Sequence, residues 1–251
     1  MTDAFKVVIP ARLESTRLPG KVLLELQGRP VLQHVFDRAM ESGASEVLIA
    51  TDHEHIASAA QAFGAAVCMT GAGHESGTSR IEEVARLQRW ADDDIVVNLQ
   101  GDEPLMPAPL LAQAAASLAE NRARDIATIA ARIDDPAEWH NPNAVKVVCD
   151  RDGNALYFSR ATIPFVRDSD TRLPSDGLAL RHIGLYAYRV ATLKQYCALP
   201  PCRLEQLEAL EQLRALHAGM TIHVSVTPTP PPPGIDTRED LEAAVRLLRG
   251  Q

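Results

Sequence analysis

An α/β fold built on a mostly parallel sheet is predicted by two features of this 251-residue chain. Short apolar runs recur and alternate with stretches of helical spacing, the pattern of βαβ units with right-handed crossovers. Several of those runs are apolar on both sides, as strands covered by helices on two faces must be. Hydrophobic residues make up 46% and charged residues 23% of the chain, so it can bury a core of that kind as one domain over 1–251.

In chain order, strands are expected at residues 5–9, 46–50, 65–69, 95–99, 126–131 and 145–149. Helical spacing fills the gaps at 31–41, 55–63, 79–90 and 110–119. Beyond about residue 150 the rhythm changes. Residues 155–158 and 184–188 read as strands around a polar, irregular stretch at 166–177. A helix over 204–217 carries Leu204, Leu207, Leu210, Leu213 and Leu216, a slanted stripe that suits either core packing or a subunit interface. A returning strand at 222–226 leads into a stiff proline-rich connector over 227–234, and a helix over 236–249 ends the chain.

The 33 acids outnumber the 25 lysines and arginines, for a formal charge of −8, which disfavours a nucleic-acid coat. No apolar run approaches the roughly 18–20 residues that span a bilayer, and the N-terminus reads as a tail and a strand rather than a signal peptide. Cys68, Cys149, Cys197 and Cys202 lack C-x-x-C spacing, so free, mostly buried thiols in a reducing cytoplasm are expected. One segment reverses the overall sign: residues 12–21 hold Arg12, Arg17 and Lys21 against the single acid Glu14.

That segment leaves the carboxyl end of the first strand, where open α/β sheets bind ligands. Its three cations suit a polyphosphate, with Gly20 allowing close backbone approach, although it is neither a Walker A loop nor G-x-G-x-x-G. The competing reading is a solvated loop. At the end of the 95–99 strand, Asn98, Gln100, Asp102 and Glu103 cluster at a glycine turn. Carboxylates there suit Mg²⁺; the alternative is a turn in which Asp102 or Glu103 caps the next segment. Asp236 precedes a helix start where Thr237 and Asp240 form a credible capping box. His53 and His55 do not share a helix face and make a poor metal pair.

Nine stretches carry a specific resemblance: IPAR-x-x-STRLPGK (9–21), ATDH (50–53), SGT-x-R (76–80), NLQGDEP (98–104), NPNAVKVV (141–148), ALYFSRATIPF (155–165), RHIGLYAYR (181–189), LE-x-LEQLR (207–214) and GIDT-x-EDLE (234–242). In this order and spacing, the chain resembles the 3-deoxy-D-manno-octulosonate (Kdo) cytidylyltransferase family over nearly its whole length. The resemblance implies a Rossmann-like nucleotidyltransferase fold with a dimerisation insertion in the later half. Residues of about 150–225 are then expected to contribute the sugar-binding and dimerisation region of a homodimer.

The implied reaction transfers CMP from CTP to the anomeric hydroxyl of Kdo, releases pyrophosphate and serves lipopolysaccharide synthesis. The resemblance places Arg12, Arg17 and Lys21 on the triphosphate and makes Asp102 and Asp236 the Mg²⁺ ligands. Cytosine is expected near Ala11, Arg12, His74, Glu75, Ser76 and Gly77, with Lys21 also on the nucleotide. The sugar acid is matched to Arg80, Gln100, His182, Tyr186, Glu211 and Gln212. Val22 stands where many members carry proline. The rivals are a cytidylyltransferase acting on sialic acid, against which the 181–189 and 207–214 stretches argue, and a nucleotide sensor without turnover.

Overall fold

The computed structural model describes residues 4–15, 17–167, 173–174 and 177–250. Most of the polar stretch expected at 166–177, Thr16 of the basic loop, and residues 1–3 of the expected N-terminal tail lie outside the described residues. Strand β1 (Phe5–Pro10) opens the chain; a 3₁₀ turn (Lys21–Leu23) and a small hairpin of β2 (Glu25–Leu26) and β3 (Arg29–Pro30) precede α1 (Val31–Glu41). Alternation continues through β4 (Glu46–Thr51), α2 (Glu54–Ala62), β5 (Ala66–Met69), α3 (Gly77–Leu87), β6 (Ile95–Asn98), α4 (Ala108–Glu120) and β7 (Ile126–Arg132). The later half comprises α5 (Pro136–His140), β8 (Lys146–Cys149), β9 (Ala155–Ser159), β10 (Leu180–Arg189), α6 (Val190–Cys197), α7 (Arg203–Glu208), α8 (Gln212–His217), β11 (Ile222–Thr227) and α9 (Arg238–Arg249).

The main path of the sheet runs β11-β7-β10-β6-β1-β4-β5. Strand β1 pairs in parallel with β4 and β6, β4 with β5, and β7 with β11. Only β10 runs against its neighbours on this path, pairing antiparallel with both β6 and β7. Period-two alternation in β1 shows why the apolar runs were two-sided. Phe5, Val7 and Ile9 enter the core shared with α1 and α4, while Val8 enters the opposite core with Ile81 and Val84 of α3.

The later half is not an appended lobe, because β10 lies between β6 and β7. Its pairing with β7 shifts register between Ile183 and Tyr186, and Thr128 Oγ1 donates to the carbonyl of Leu185 (2.8 Å) at this irregularity. The strand is also longer than its apolar alternation suggested, which brings His182 into it. Short helices α5 and α6 were not anticipated.

The single helix expected over 204–217 is interrupted. Ala209 adopts a left-handed conformation (φ 50°), separating α7 from α8. Tertiary contacts outweigh the helical spacing here. The Glu208 carboxylate accepts from Ser159 Oγ (2.6 Å) and the Arg160 amide (3.0 Å), and the Arg160 guanidinium donates to the Glu208 carbonyl (2.7 Å). The leucine stripe is split accordingly: Leu210 and Leu213 are buried, while Leu204 and Leu207 are exposed.

Lys146 on β8 is completely buried, and its ammonium donates to three carbonyls: Asn141 (2.9 Å), Ala144 (2.6 Å) and Arg160 (2.8 Å). Burial lowers its pKa, and the nearby Arg160 charge adds to that effect. The lysine ties the loop before β8 to the end of β9. Lys146→Met leaves those acceptors unpaired, so a loss of about 3 kcal/mol or more is expected. For a chain of this size that corresponds to a melting-temperature fall of roughly 6–12 °C, measurable by circular dichroism. A fall below about 2 °C would show that the carbonyls find other donors.

Candidate functional site

The site lies at the carboxyl ends of β1 and β6. Beyond β1, the buried Ala11 donates its amide to the Ala50 carbonyl (2.8 Å), holding the start of the basic loop against β4. The loop closes when the Gly20 amide reaches the Leu13 carbonyl (3.1 Å), with Gly20 left-handed at φ 67°. Val22 is buried in the 3₁₀ turn that follows Gly20. Beyond β6, Gly101 passes so close to β1 that a Cβ there would lie 2.9 Å from the Pro10 carbonyl oxygen. Only glycine fits that approach without a backbone shift.

Asp102 and Asp236 converge despite their separation in sequence. The Ile235 amide donates to the Asp102 carbonyl (2.8 Å), docking the segment after the proline connector onto the β6 turn. The expected capping box forms between Thr237 and Asp240, and Asp240 Oδ2 also accepts from the Asp236 amide (3.1 Å). The Asp236 side chain is therefore left to other partners. Lys21 Nζ donates to Asp102 Oδ2 and to Asp236 Oδ1 (2.9 Å), and Arg17 pairs with the second Asp236 oxygen (2.8 Å). The alternative turn-cap role for Asp102 or Glu103 is not seen, since the N-cap of α4 is Pro107 and that helix has no side-chain cap.

Two adjoining cavities contain every residue proposed from sequence for the site. A cavity of about 840 Å³ is lined by Arg12, Arg17, Lys21, Gln100, Asp102 and Asp236. A narrower one of about 370 Å³ has Ala11, Arg12, His74, Ser76, Gly77 and Gln100 on one side. Its other walls come from Arg80, His182, Tyr186, Glu211 and Gln212. Pro10, Arg12 and Gln100 line both cavities, so the charged chamber, which also includes Glu14, and the aromatic chamber meet there.

Several walls are held by contacts that sequence alone did not disclose. Both ring nitrogens of His74 are engaged, one by Ser79 Oγ (3.0 Å) and the other by Glu83 (2.6 Å), which leaves its ring to face the cavity. The His74 hydrogen bond, with the Gly71 amide, keeps the Glu83 carboxyl below its usual range. Arg80 is only 4% exposed and spends two nitrogens on Asp52 (3.0 Å) and Thr70 (2.5 Å). His182 meets Thr128 Oγ1 (3.0 Å) between the rings of Phe158 and Tyr186; burial depresses its pKa to about 3, so it is neutral. Burial also raises the Tyr186 hydroxyl and the Glu211 carboxyl above their usual ranges. The Tyr196 hydroxyl donates to the Glu211 carbonyl (2.9 Å), and the Glu205–Arg214 ion pair spans the break at Ala209. Tyr188 and Tyr196 also line the chamber and were missed; period two in the 181–189 stretch already put Tyr186 and Tyr188 on one face.

Two carboxylates directed at one nitrogen form a hard oxygen donor pair that suits Mg²⁺. Among the described residues, no group of three or more His, Cys, Asp or Glu side chains is arranged for a metal, so an ion held by this pair would need further ligands from water or a bound phosphate. His53 serves instead as the cap of α2, its ring accepting from the His55 amide (3.2 Å).

Glu103 carries the clearest pH signature. Burial, reinforced by the charges of Asp102 and Asp236, pushes its carboxyl from 4.5 up to about 8. Between those values the folded chain holds a proton that the unfolded chain has released, so this group makes stability fall as pH rises through that window. Above about pH 8 its contribution levels off. In EDTA, Glu103→Gln is expected to flatten the fall, seen by urea unfolding at about pH 5.5 and about pH 8.5. Equal slopes for the two proteins would mean that Glu103 ionises normally in the fold.

Comparison with known proteins agrees with this architecture. The cytidylyltransferase family model matches residues 6–222. The 3-deoxy-manno-octulosonate cytidylyltransferase of Pseudoalteromonas atlantica is 52% identical, covering 95% of each chain. Its counterpart from Haemophilus influenzae strain Rd is 49% identical over 98% of each. The solved structure of CMP:2-keto-3-deoxy-manno-octonic acid synthetase complexed with CTP superposes with a TM-score of 0.90 at 40% identity, covering 99% of both chains. With a family-model match over residues 6–222, about half of the residues identical to full-length relatives and a shared fold, the chain belongs to the cytidylyltransferase family, in its 3-deoxy-manno-octulosonate branch.

Proposed function

We propose that this protein transfers CMP from CTP to the anomeric hydroxyl of Kdo, releasing pyrophosphate, and so supplies activated Kdo for lipopolysaccharide synthesis. The observation that carries this reading is the convergence of Asp102, Asp236 and Lys21 where a charged chamber adjoins a narrower, aromatic one. The first chamber sets Arg12, Arg17 and Lys21 against Glu14, Asp102 and Asp236, so it offers three cations to a triphosphate once a metal takes up the paired acids. The second presents polar groups beside Tyr186 and His182, which suits a sugar acid.

Asp102 and Asp236 hold the Mg²⁺ in this proposal. Bound there, the ion would supply Lewis-acid polarisation and neutralise phosphate charge. Arg12, Arg17 and Lys21 orient the triphosphate and stabilise charge on the departing pyrophosphate. His74, Ser76 and Gly77 border the base, with Ala11 offering backbone contacts. Gln100, Glu211 and Gln212 hydrogen-bond sugar hydroxyls, and neutral His182 contributes a donor or acceptor rather than a charge. Arg80 supplies positive charge near the sugar carboxylate while anchored by Asp52.

The segment of about 150–225 provides the sugar wall and, in this proposal, the face of a homodimer. Phe165, Leu207 and Leu156 are 73%, 68% and 63% exposed, an unusual concentration of large apolar side chains for one stretch of chain. No helix among the described residues is long and apolar enough to cross a membrane. Cys68 and Cys202 are buried free thiols and Cys149 and Cys197 partly buried ones, which supports a place in the reducing cytoplasm.

With Mg²⁺ and CTP, pyrophosphate release is expected with Kdo and not with sialic acid, and EDTA should abolish it. Release with sialic acid alone would sink the sugar assignment; no release with either would favour a sensor. Asp102→Ala and Asp236→Ala should each lose about 10²-fold or more in turnover while remaining folded. Leu207→Asp should shift the sedimentation coefficient from dimer to monomer, and an unchanged value would place the interface elsewhere.

A further inference from the structure

We propose that Lys21 is the resident cation of the Asp102–Asp236 pair and is handed over to the triphosphate when the metal enters, so that metal and nucleotide bind as a coupled pair. The inference rests on the Mg²⁺ assignment above and concerns how this chain keeps the site ready. Lys21 Nζ bonds both carboxylates at once, and its side chain is 15% exposed. Arg17 completes the balance on Asp236, so two acids face two cations. Two carboxylates directed at one point without a cation would repel each other and pay a desolvation penalty.

A divalent ion added to this arrangement alone would meet both cations at close range, and the repulsion opposes its binding. A triphosphate changes the balance by giving Lys21 and Arg17 new partners in the same cavity. The lysine can make that exchange by rotating its flexible stem, because the backbone around it is fixed by the Gly20 turn. Coupling is necessarily reciprocal: whatever nucleotide gains from the metal, the metal gains from nucleotide.

The test is Mn²⁺ binding to the full chain, read by water-proton relaxation, for wild type, Lys21→Met and Asp102→Asn. Without nucleotide, Lys21→Met is expected to bind Mn²⁺ about tenfold or more tightly than wild type, while Asp102→Asn binds more weakly than wild type. Adding CTP should tighten Mn²⁺ binding to wild type far more than to Lys21→Met. Equal Mn²⁺ affinities for wild type and Lys21→Met, with Asp102→Asn weaker, would overturn the exchange and leave the metal site standing. If Asp102→Asn binds like wild type with and without CTP, the metal assignment itself fails and the exchange with it. Should Lys21→Met not fold, Lys21→Gln takes its place under the same criteria.

Discussion

Everything at the functional end of this molecule depends on bringing two carboxylates from distant parts of the chain to one ammonium group. Asp102 arrives on the β6 turn, and Asp236 arrives after the proline connector. Neither position is set by the ion pair alone. Gly101 lets the β6 turn approach β1, the Ile235 amide docks on the Asp102 carbonyl, and Asp240 fixes the Asp236 backbone. Lys21 then joins the two acids from a third segment. A buried or half-buried acid pair is tolerable only with such compensation, so the loop, the turn and the connector are mutually dependent.

The aromatic chamber depends on a second departure from regular structure. Strand β10 runs antiparallel within an otherwise parallel path and carries His182 and Tyr186 on one face. Opposite them, the left-handed Ala209 ends one helix and starts another, so that Glu211 and Gln212 line the cavity. Arg160, Glu208, Tyr196 and the Glu205–Arg214 pair satisfy or brace the groups around that break. An interruption that costs helical hydrogen bonds is thus held by side chains from α6, α7 and α8 and from the end of β9 and the residue after it.

Much of the scaffold was legible because its signals are local. Helix α1 occupies the expected 31–41 span, and the β1, β4 and β6 cores follow from apolar alternation within each strand. The Thr237–Asp240 box was legible for the same reason, since a cap is made within four residues. The direction of β10 was not, because pairing direction is decided by neighbours that are remote in sequence. The break at Ala209 was hidden because leucines at a three-residue step fit a continuous helix equally well. The engagement of Glu83 with His74 was also illegible: two polar residues nine positions apart carry no sign that one orients the other. Motifs pointed to residues that line two adjoining cavities; they did not disclose which of those charges were already paired.

That distinction alters the meaning of the charge pattern. The net charge of −8 and the basic loop at 12–21 suggested an acidic protein with a free cationic patch. In the folded chain, Lys21 and Arg17 are matched by Asp102 and Asp236, whereas Arg12 is exposed at the junction of the two chambers. Cations held by acids exert little attraction at long range, because each pair approaches a dipole and salt screens what remains. Arg12 is therefore the group positioned to meet an incoming anion first. In the exchange proposed above, Lys21 and Arg17 become available as their acid partners acquire another cation, so the site's affinity for anions depends on an exchange of partners as well as on the number of basic residues.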